Sequence, residues 1–251
     1  WLTAALARHA FPALRILDHP NRRSLHETPG PRTGGVAVIA GLLAGVVPAI
    51  AITETVPALL WIGVALLPVA GVSLIDDRGH VSPLLRIGAH ALAALLLIAG
   101  GLQWQSVGLP GLDSPLSPWL ALPLTAVYIV WMINLYNFMD GMDGLAGGMA
   151  LFGFGALALL GLQGQSLLYA ATAAVVAASA AGFLTRNFPP ARIFLGDTGS
   201  SVLGLLAAAM TLWGAGLGLF PLWIGLLIFS PFIVDATWTL LRRIAAGEPF
   251  W

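Results

Sequence analysis

Eight apolar runs, each about the length that carries a helix across a bilayer, occupy most of this chain and leave it few ways to fold. They fall at roughly 35–53, 56–75, 85–101, 118–136, 145–161, 166–184, 199–213 and 217–236. Stretches such as Leu92–Ile98 and Ala170–Ala181 run in Ala and Leu without the two-residue alternation of a barrel strand. The expectation is an all-α, polytopic transmembrane helical bundle of about eight spans. Only 9% of the residues are charged and 58% are hydrophobic, against about 25% charged in a soluble domain. A water-facing globule is excluded. A net charge of zero gives no bulk attraction to nucleic acid, and the absence of cysteine excludes disulfides.

The polar residues are distributed unevenly between the connections. The segments 9–33, 76–84, 137–144, 185–198 and 237–251 alternate with 54–55, 102–117, 162–165 and 214–216 and so fall on opposite sides of the bilayer. All eleven basic residues are arginines: Arg8, Arg15, Arg22, Arg23, Arg32, Arg78, Arg86, Arg186, Arg192, Arg242 and Arg243. Every one lies on or beside the first set, which the positive-inside rule makes cytoplasmic. Nine of the eleven acids follow them, leaving only Glu54 and Asp113. Acids have little say in orientation, so their clustering points to chemistry. The chain opens on Trp1 and stops at Trp251. It reads as one membrane domain over 1–251, cut at both ends, with at least one span expected before residue 1. Trp61, Trp104, Trp119 and Trp213 sit near span ends and fit interfacial belts.

Four segments on the arginine side are denser in polar groups than topology requires. The first runs Asp18-His19-Pro20-Asn21-Arg22-Arg23-Ser24-Leu25-His26-Glu27 and on to Arg32-Thr33-Gly34-Gly35. Guanidinium forks suit phosphate oxygens, and glycines let backbone N–H groups approach an anion. A plain positive-inside anchor explains this segment equally well. The second, Asp76-Asp77-Arg78-Gly79, places adjacent carboxylates at a span end, where they repel unless a cation or a proton is shared. In the third, Asn137, Asp140 and Asp143 recur every three residues and share a face if the helix continues that far. Such oxygens suit Mg²⁺, which binds through one or two carboxylates plus substrate phosphates. The fourth, Asn187 to Ser201, carries Gly196-Asp197-Thr198-Gly199-Ser200 just before a span. It offers N–H groups, hydroxyls and a carboxylate to a metal-diphosphate, although Asp197 or Ser200 alone would be an ordinary helix cap.

Taken in order, these motifs resemble the polyprenyl-phosphate N-acetylhexosamine-1-phosphate transferase family (glycosyltransferase family 4). They are Asp18-x-Pro20-Asn21-x-Arg23-x-x-His26 with Gly34-Gly35, Asp76-Asp77, Asn137-x-x-Asp140-Gly141-x-Asp143-Gly144, and Gly196-Asp197-x-Gly199-Ser200. The likeness covers Asp18 to Pro249, and Ser24 to Pro29 looks closest to the branch that starts O-antigen and related polysaccharides. It implies transfer of an N-acetylhexosamine-1-phosphate from a UDP-sugar to undecaprenyl or another polyprenyl phosphate, with UMP released, as the first membrane step of envelope polysaccharide or peptidoglycan synthesis. It implies Mg²⁺, or Mn²⁺ in its place, held by Asp197 and Asn137. By the same likeness Phe194 stacks on the uracil that Asp143 contacts, and Asp76 or Asp77 positions or deprotonates the lipid phosphate. The catalytic candidates are therefore Asp76, Asp77 and Asp140. The substrate-binding candidates are Asn137, Asp143, Phe194, Arg22, Arg23, His26 and Arg192. The expected partners are the UDP-sugar, the lipid phosphate, the bilayer and, optionally, a second copy of the chain, with no nucleic acid. The expected location is a bacterial inner membrane with the site facing the cytoplasm. The family's His-x-His motif normally follows a few residues beyond the position of Phe250, where this chain stops.

Two other readings compete. A CDP-alcohol phosphatidyltransferase also uses spaced acids on a membrane helix, but Asp143-Gly144 is followed by Leu145-Ala146-Gly147-Gly148 rather than the Ala-Arg that family needs. A secondary transporter usually carries ionisable groups near the bilayer midplane and often shows internal repeats. Here the span interiors are almost free of charge and no repeat is visible.

Overall fold

The computed structural model describes residues 3, 5, 16–18, 30–51, 57–106, 108 and 114–248. The helices among them from residue 30 onward are α1 (Gly34–Ala51), α2 (Pro57–Arg78), α3 (Pro83–Ala99), α4 (Pro118–Met139), α5 (Leu145–Gln163), α6 (Leu167–Asn187), α7 (Gly196–Gly216), α8 (Leu222–Ile228) and α9 (Ser230–Ala245). A short antiparallel ladder pairs β1 (Leu17–Asp18) with β2 (Gly30–Pro31), in the register Leu17↔Pro31 and Asp18↔Gly30. The chain is an all-α polytopic membrane bundle, as its apolar runs require.

The span count differs from the expected eight. Among the described residues five helices can cross a membrane by length and composition, namely α2, α4, α5, α6 and α7. A sixth span exists if α8 and α9, bent by 75° at their junction, are taken as one. The apolar part of α1 and the whole of α3 are shorter. The reason for α3 is local: Ser82 caps it, its Oγ accepting the Leu85 N–H at 3.3 Å, with Pro83 at the first helical position. Seventeen residues then rise about 26 Å, less than the roughly 30 Å hydrocarbon core.

Helix α7 forms the axis, packing against α1, α2, α4, α5 and α8, and 89% of its apolar window is buried inside the protein. Its residues are small on several faces, so neighbouring backbones come close. A Cβ at Gly204 would lie 2.6 Å from the Met132 carbonyl oxygen of α4, and one at Gly199 would lie 2.7 Å from Gly35 Cα of α1. Trp213, expected at an interface, is instead 6% exposed and packs edge-on to Tyr169 with centroids 5.1 Å apart.

The starts of α1, α3, α5 and α7 meet the ends of α2, α4 and α6 at one end of the bundle. Gly35 N–H donates to Leu195 O at 2.8 Å, Gly144 N–H to Asn187 Oδ1 at 2.8 Å, and Thr198 N–H to Asp77 Oδ2 at 2.9 Å. Of the described arginines, Arg32, Arg78, Arg86, Arg186 and Arg192 lie on these segments, and Arg243 of α9 lines a cleft together with Arg86.

Candidate functional site

At this end a chain of polar contacts joins segments that are far apart in sequence. Asp197, in the first turn of α7, accepts Asn137 Nδ2 at 3.0 Å and faces the Arg32 guanidinium at 3.4 Å. Arg32 also reaches Asp18 at 3.6 Å and Asp77 at 3.8 Å. The β1–β2 ladder supplies this approach, since Asp18 pairs with Gly30, two residues before Arg32. Asn137, in the last turn of α4, donates to Ser200 Oγ at 2.9 Å and accepts Arg86 Nη2 at 3.3 Å. Arg86 in turn pairs with Asp76 Oδ2 at 3.2 Å. The relay therefore runs from Asp76 through Arg86, Asn137, Asp197 and Arg32 to Asp77 and Asp18.

The acids of this relay are differently placed. Asp76 spends Oδ1 on the Val81 N–H at 2.9 Å and Oδ2 on Arg86. The Asp77 side chain is only 1% exposed and takes three donors from the start of α7. Asp140 sits half-buried just past the end of α4. Burial pushes its carboxyl well above the ordinary carboxylate range; the Asp197 and Asp77 charges add to this, and the Arg32 charge opposes it. Acids crowded in this way call for a cation.

The shared helical face expected for Asn137, Asp140 and Asp143 does not form. Helix α4 ends at Met139, and only Asn137 is helical. Asp143 is exposed, and its Oδ2 accepts the Ala191 N–H at 2.9 Å, which ties the 140s turn to the loop before α7. Phe194 is half-buried over Gly30, where a Cβ would lie 2.5 Å from its ring; its backbone N–H donates to Pro31 O at 2.8 Å. Arg192 is exposed, its N–H donating to Arg186 O at 2.7 Å. Arg22, Arg23 and His26 lie outside the described residues.

Asp197, Asn137, Asp76, Asp77 and Asp140 are thus brought together, with Asp143 and Phe194 on the rim. Three further residues belong to the site. Arg32 is the cation among the acids, and Arg86 links Asp76 to Asn137. Asn187, 5% exposed, clamps two loops through Gly144 N–H and Ile193 O. Arg86 had a usable signal: Ser82-Pro83 starts α3 only four residues after Arg78, so its first turn must lie beside the acidic end of α2.

The donor set suits a magnesium ion. No three acids or histidines among the described residues form a metal cage, and Mg²⁺ needs only one or two protein carboxylates when phosphates complete its shell. Asp197 provides one. Asn137 turns its NH₂ toward Asp197 and its oxygen toward Arg86, so it becomes a ligand only after a half-turn of its amide.

Beside the relay lies a cleft of about 500 Å³ between the start of α3, the second half of α4 and α9. Ile87, Trp131, Leu135, Phe138 and Leu240 give it apolar walls, and His80, Arg86, Asn137 and Arg243 supply polar groups. Arg86 and Asn137 belong to both the cleft and the acid relay.

The profile of glycosyl transferase family 4 matches residues 59–215. A probable undecaprenyl-phosphate N-acetylglucosaminyl 1-phosphate transferase of Bacillus subtilis is 34% identical over 93% of this chain and 65% of its own length. A decaprenyl-phosphate N-acetylglucosaminephosphotransferase of Mycobacterium leprae is 35% identical over 81% of this chain and 55% of its own. A phospho-N-acetylmuramoyl-pentapeptide-transferase of a Synechococcus strain is 36% identical over 61% of this chain and 48% of its own. The chain thus spans about half to two thirds of the length of these relatives.

Proposed function

The chain belongs to glycosyl transferase family 4, and on that premise we propose that it moves an N-acetylhexosamine-1-phosphate from a UDP-sugar to a polyprenyl phosphate. The observation that carries this reading is the sharing of Arg86 and Asn137 between a charged relay and an apolar-walled cleft. A reaction between a nucleotide diphosphate and a lipid phosphate needs those two environments to touch. In this reading an oxygen of the lipid phosphate attacks the β-phosphorus, the bond to the bridging oxygen breaks, and UMP leaves with the α-phosphate. The nucleophile needs little help to ionise, because a phosphate monoester's second pKa is about 6. The protein's work is therefore positioning and charge neutralisation.

Mg²⁺, when bound, would offset the negative charge that gathers on the departing UMP. Asp197 would hold it. Arg86 and Arg243 would steady the lipid phosphate at the mouth of the cleft, and Arg32 would be freed from Asp197 to meet the diphosphate. Phe194 and Asp143, on the rim, remain the candidates for the uracil, and Arg192 for a phosphate. Asp140, beside the Asp197 and Asp77 charges, is a further acid whose charge an arriving cation would offset. The test is transfer by the whole protein, reconstituted with polyprenyl phosphate and a UDP-sugar labelled at the β-phosphate. Label should pass into the lipid phase with one UMP formed per label. Lipid labelling without UMP, or UDP as the nucleotide product, would defeat this reading.

We also place the site on the cytoplasmic side of a bacterial inner membrane, on the strength of the arginines gathered at its end of the bundle. Gly79 is exposed with open space around it, and Ser114 is exposed on the connection before α4. In this cysteine-free chain Gly79→Cys should resist an impermeant thiol reagent in intact cells, whereas Ser114→Cys should react. The opposite pattern would invert the topology.

A further inference from the structure

Asp76 and Asp77 are adjacent, yet neighbours on a helix point about 100° apart, and the structure gives their carboxylates different partners. Asp77 Oδ1 accepts the Asp197 N–H at 2.8 Å, while Oδ2 accepts the Thr198 N–H at 2.9 Å and the Thr198 hydroxyl at 2.6 Å. A carboxylate has about four acceptor sites. Three are filled by the start of α7, and Arg32 Nε stands 3.8 Å from Oδ1.

The first turn of any helix leaves N–H groups without partners inside the helix. Helix α7 has no side-chain cap from its own N-cap residue, Leu195. Its cap comes instead from the end of α2, about 120 residues earlier. A second observation fits the first: Gly196, at φ +74°, would carry a Cβ only 2.9 Å from Asp77 Oδ1. The missing side chain there is what lets the carboxylate reach the two N–H groups behind it.

We propose that Asp77 is a positioning residue, which caps α7 from α2 and thereby fixes where Asp197 presents its carboxylate. One of the N–H groups it holds is that of Asp197 itself, so a shift at Asp77 passes directly to the acid. Asp76 does not share this task, since its oxygens go to the Val81 N–H and to Arg86 at the cleft. The inference rests on the reading of Asp197 as the acid that holds Mg²⁺, and it assigns the residue that sets that acid's place.

The test uses the full-length membrane protein in detergent, with Asp77→Asn and Asp77→Ala. Asn keeps one carbonyl acceptor for α7, and Ala keeps none. For Asp77→Asn the Mg²⁺ concentration giving half-maximal transfer should rise about tenfold, with most of the rate recovered at high Mg²⁺. The acidic limb of its pH–rate profile should stay where it is in the unmodified protein. For Asp77→Ala the Tm should fall by roughly 4 °C or more, and the Asp197 and Thr198 amides should both lose hydrogen-exchange protection, whereas Asp77→Asn keeps it at one of the two. If Asp77→Asn is inactive at every Mg²⁺ concentration with its Tm unchanged, or if the acidic limb disappears, Asp77 takes part in the chemistry and the proposal fails. If the unmodified protein shows no transfer at all, the reaction assigned above is wrong. Exchange then still decides the cap: protection kept at Asp197 and Thr198 in Asp77→Ala overturns it, and protection lost there supports it.

Discussion

Replacing Asp197 with Asn is expected to lower transfer at saturating UDP-sugar by at least about a hundredfold, or about 2.7 kcal/mol of transition-state stabilisation. The protein should remain folded. Asp197 lies in the first turn of α7, where a plain helix cap was the competing explanation from sequence. The structure assigns the capping elsewhere, because the N–H groups of Asp197 and Thr198 are both held by Asp77. The Asp197 carboxylate instead faces Arg32 and the Asn137 amide. Asn at this position keeps the size and an acceptor for Asn137 but removes the charge, which a metal-diphosphate needs most. Thermal unfolding within about 2 °C of the unmodified protein should accompany the loss of turnover. Activity within a few-fold of the original at ordinary Mg²⁺ would remove Asp197 from the reaction.

Gly35→Leu should have the largest effect on folding. Where Gly35 of α1 crosses α7, a Cβ would run into the Gly199 backbone nitrogen and lie 2.5 Å from Gly199 Cα and 3.0 Å from Leu195 O. All three obstacles are backbone, so no side chain can turn aside to make room. Overpacking of this kind costs about 1–3 kcal/mol even when the surroundings can shift, and a whole leucine would force α1 away from α7. The hydrogen bond from Gly35 N–H to Leu195 O, 2.8 Å long, would go with it, along with the loop that carries Phe194. Detergent-solubilised Gly35→Leu should be aggregated or proteolysed, and Gly35→Ala should melt several degrees below the unmodified protein. Gly63, in α2, has nothing within 4 Å of its Cβ position. Gly63→Ala should leave the Tm unchanged or slightly raised, since Ala is the better helix former. An unaltered Tm for Gly35→Ala would show that the close crossing contributes nothing to assembly.

The motifs were legible as clusters because charge is costly in a membrane chain, so polar residues at span ends stand out against an apolar background. Asp76, Asn137, Asp140 and Asp197 could be picked out in this way, and the structure brings them to one end of the bundle. Their partners were not legible. Arg86 counted only as a topological arginine and Arg32 only as one cation of the first polar segment, because a one-dimensional pattern cannot distinguish a charge that anchors a span from one that bridges two acids. The expected face of Asn137, Asp140 and Asp143 depended on α4 continuing, and α4 stops at Met139.

The sequence by itself determined the class of structure. A chain this apolar must satisfy its backbone within each span, and its apolar runs lack the alternation of a closed barrel, so helices follow. It also singled out the connections that the structure gathers at one end of the bundle, since Arg and Asp are placed there against a strong energetic bias. Only the tertiary structure decided that α7 is the axis, that α3 is too short to match the other spans, and that adjacent Asp76 and Asp77 serve different neighbours. The physical reason is that these outcomes depend on which helix lies beside which. In a bilayer the apolar faces are nearly interchangeable, and helices choose their neighbours by close fit and by the few polar bonds they can complete. Among the described residues those bonds span as many as 179 residues, from Thr3 to Gly182, and no local pattern in the sequence records them.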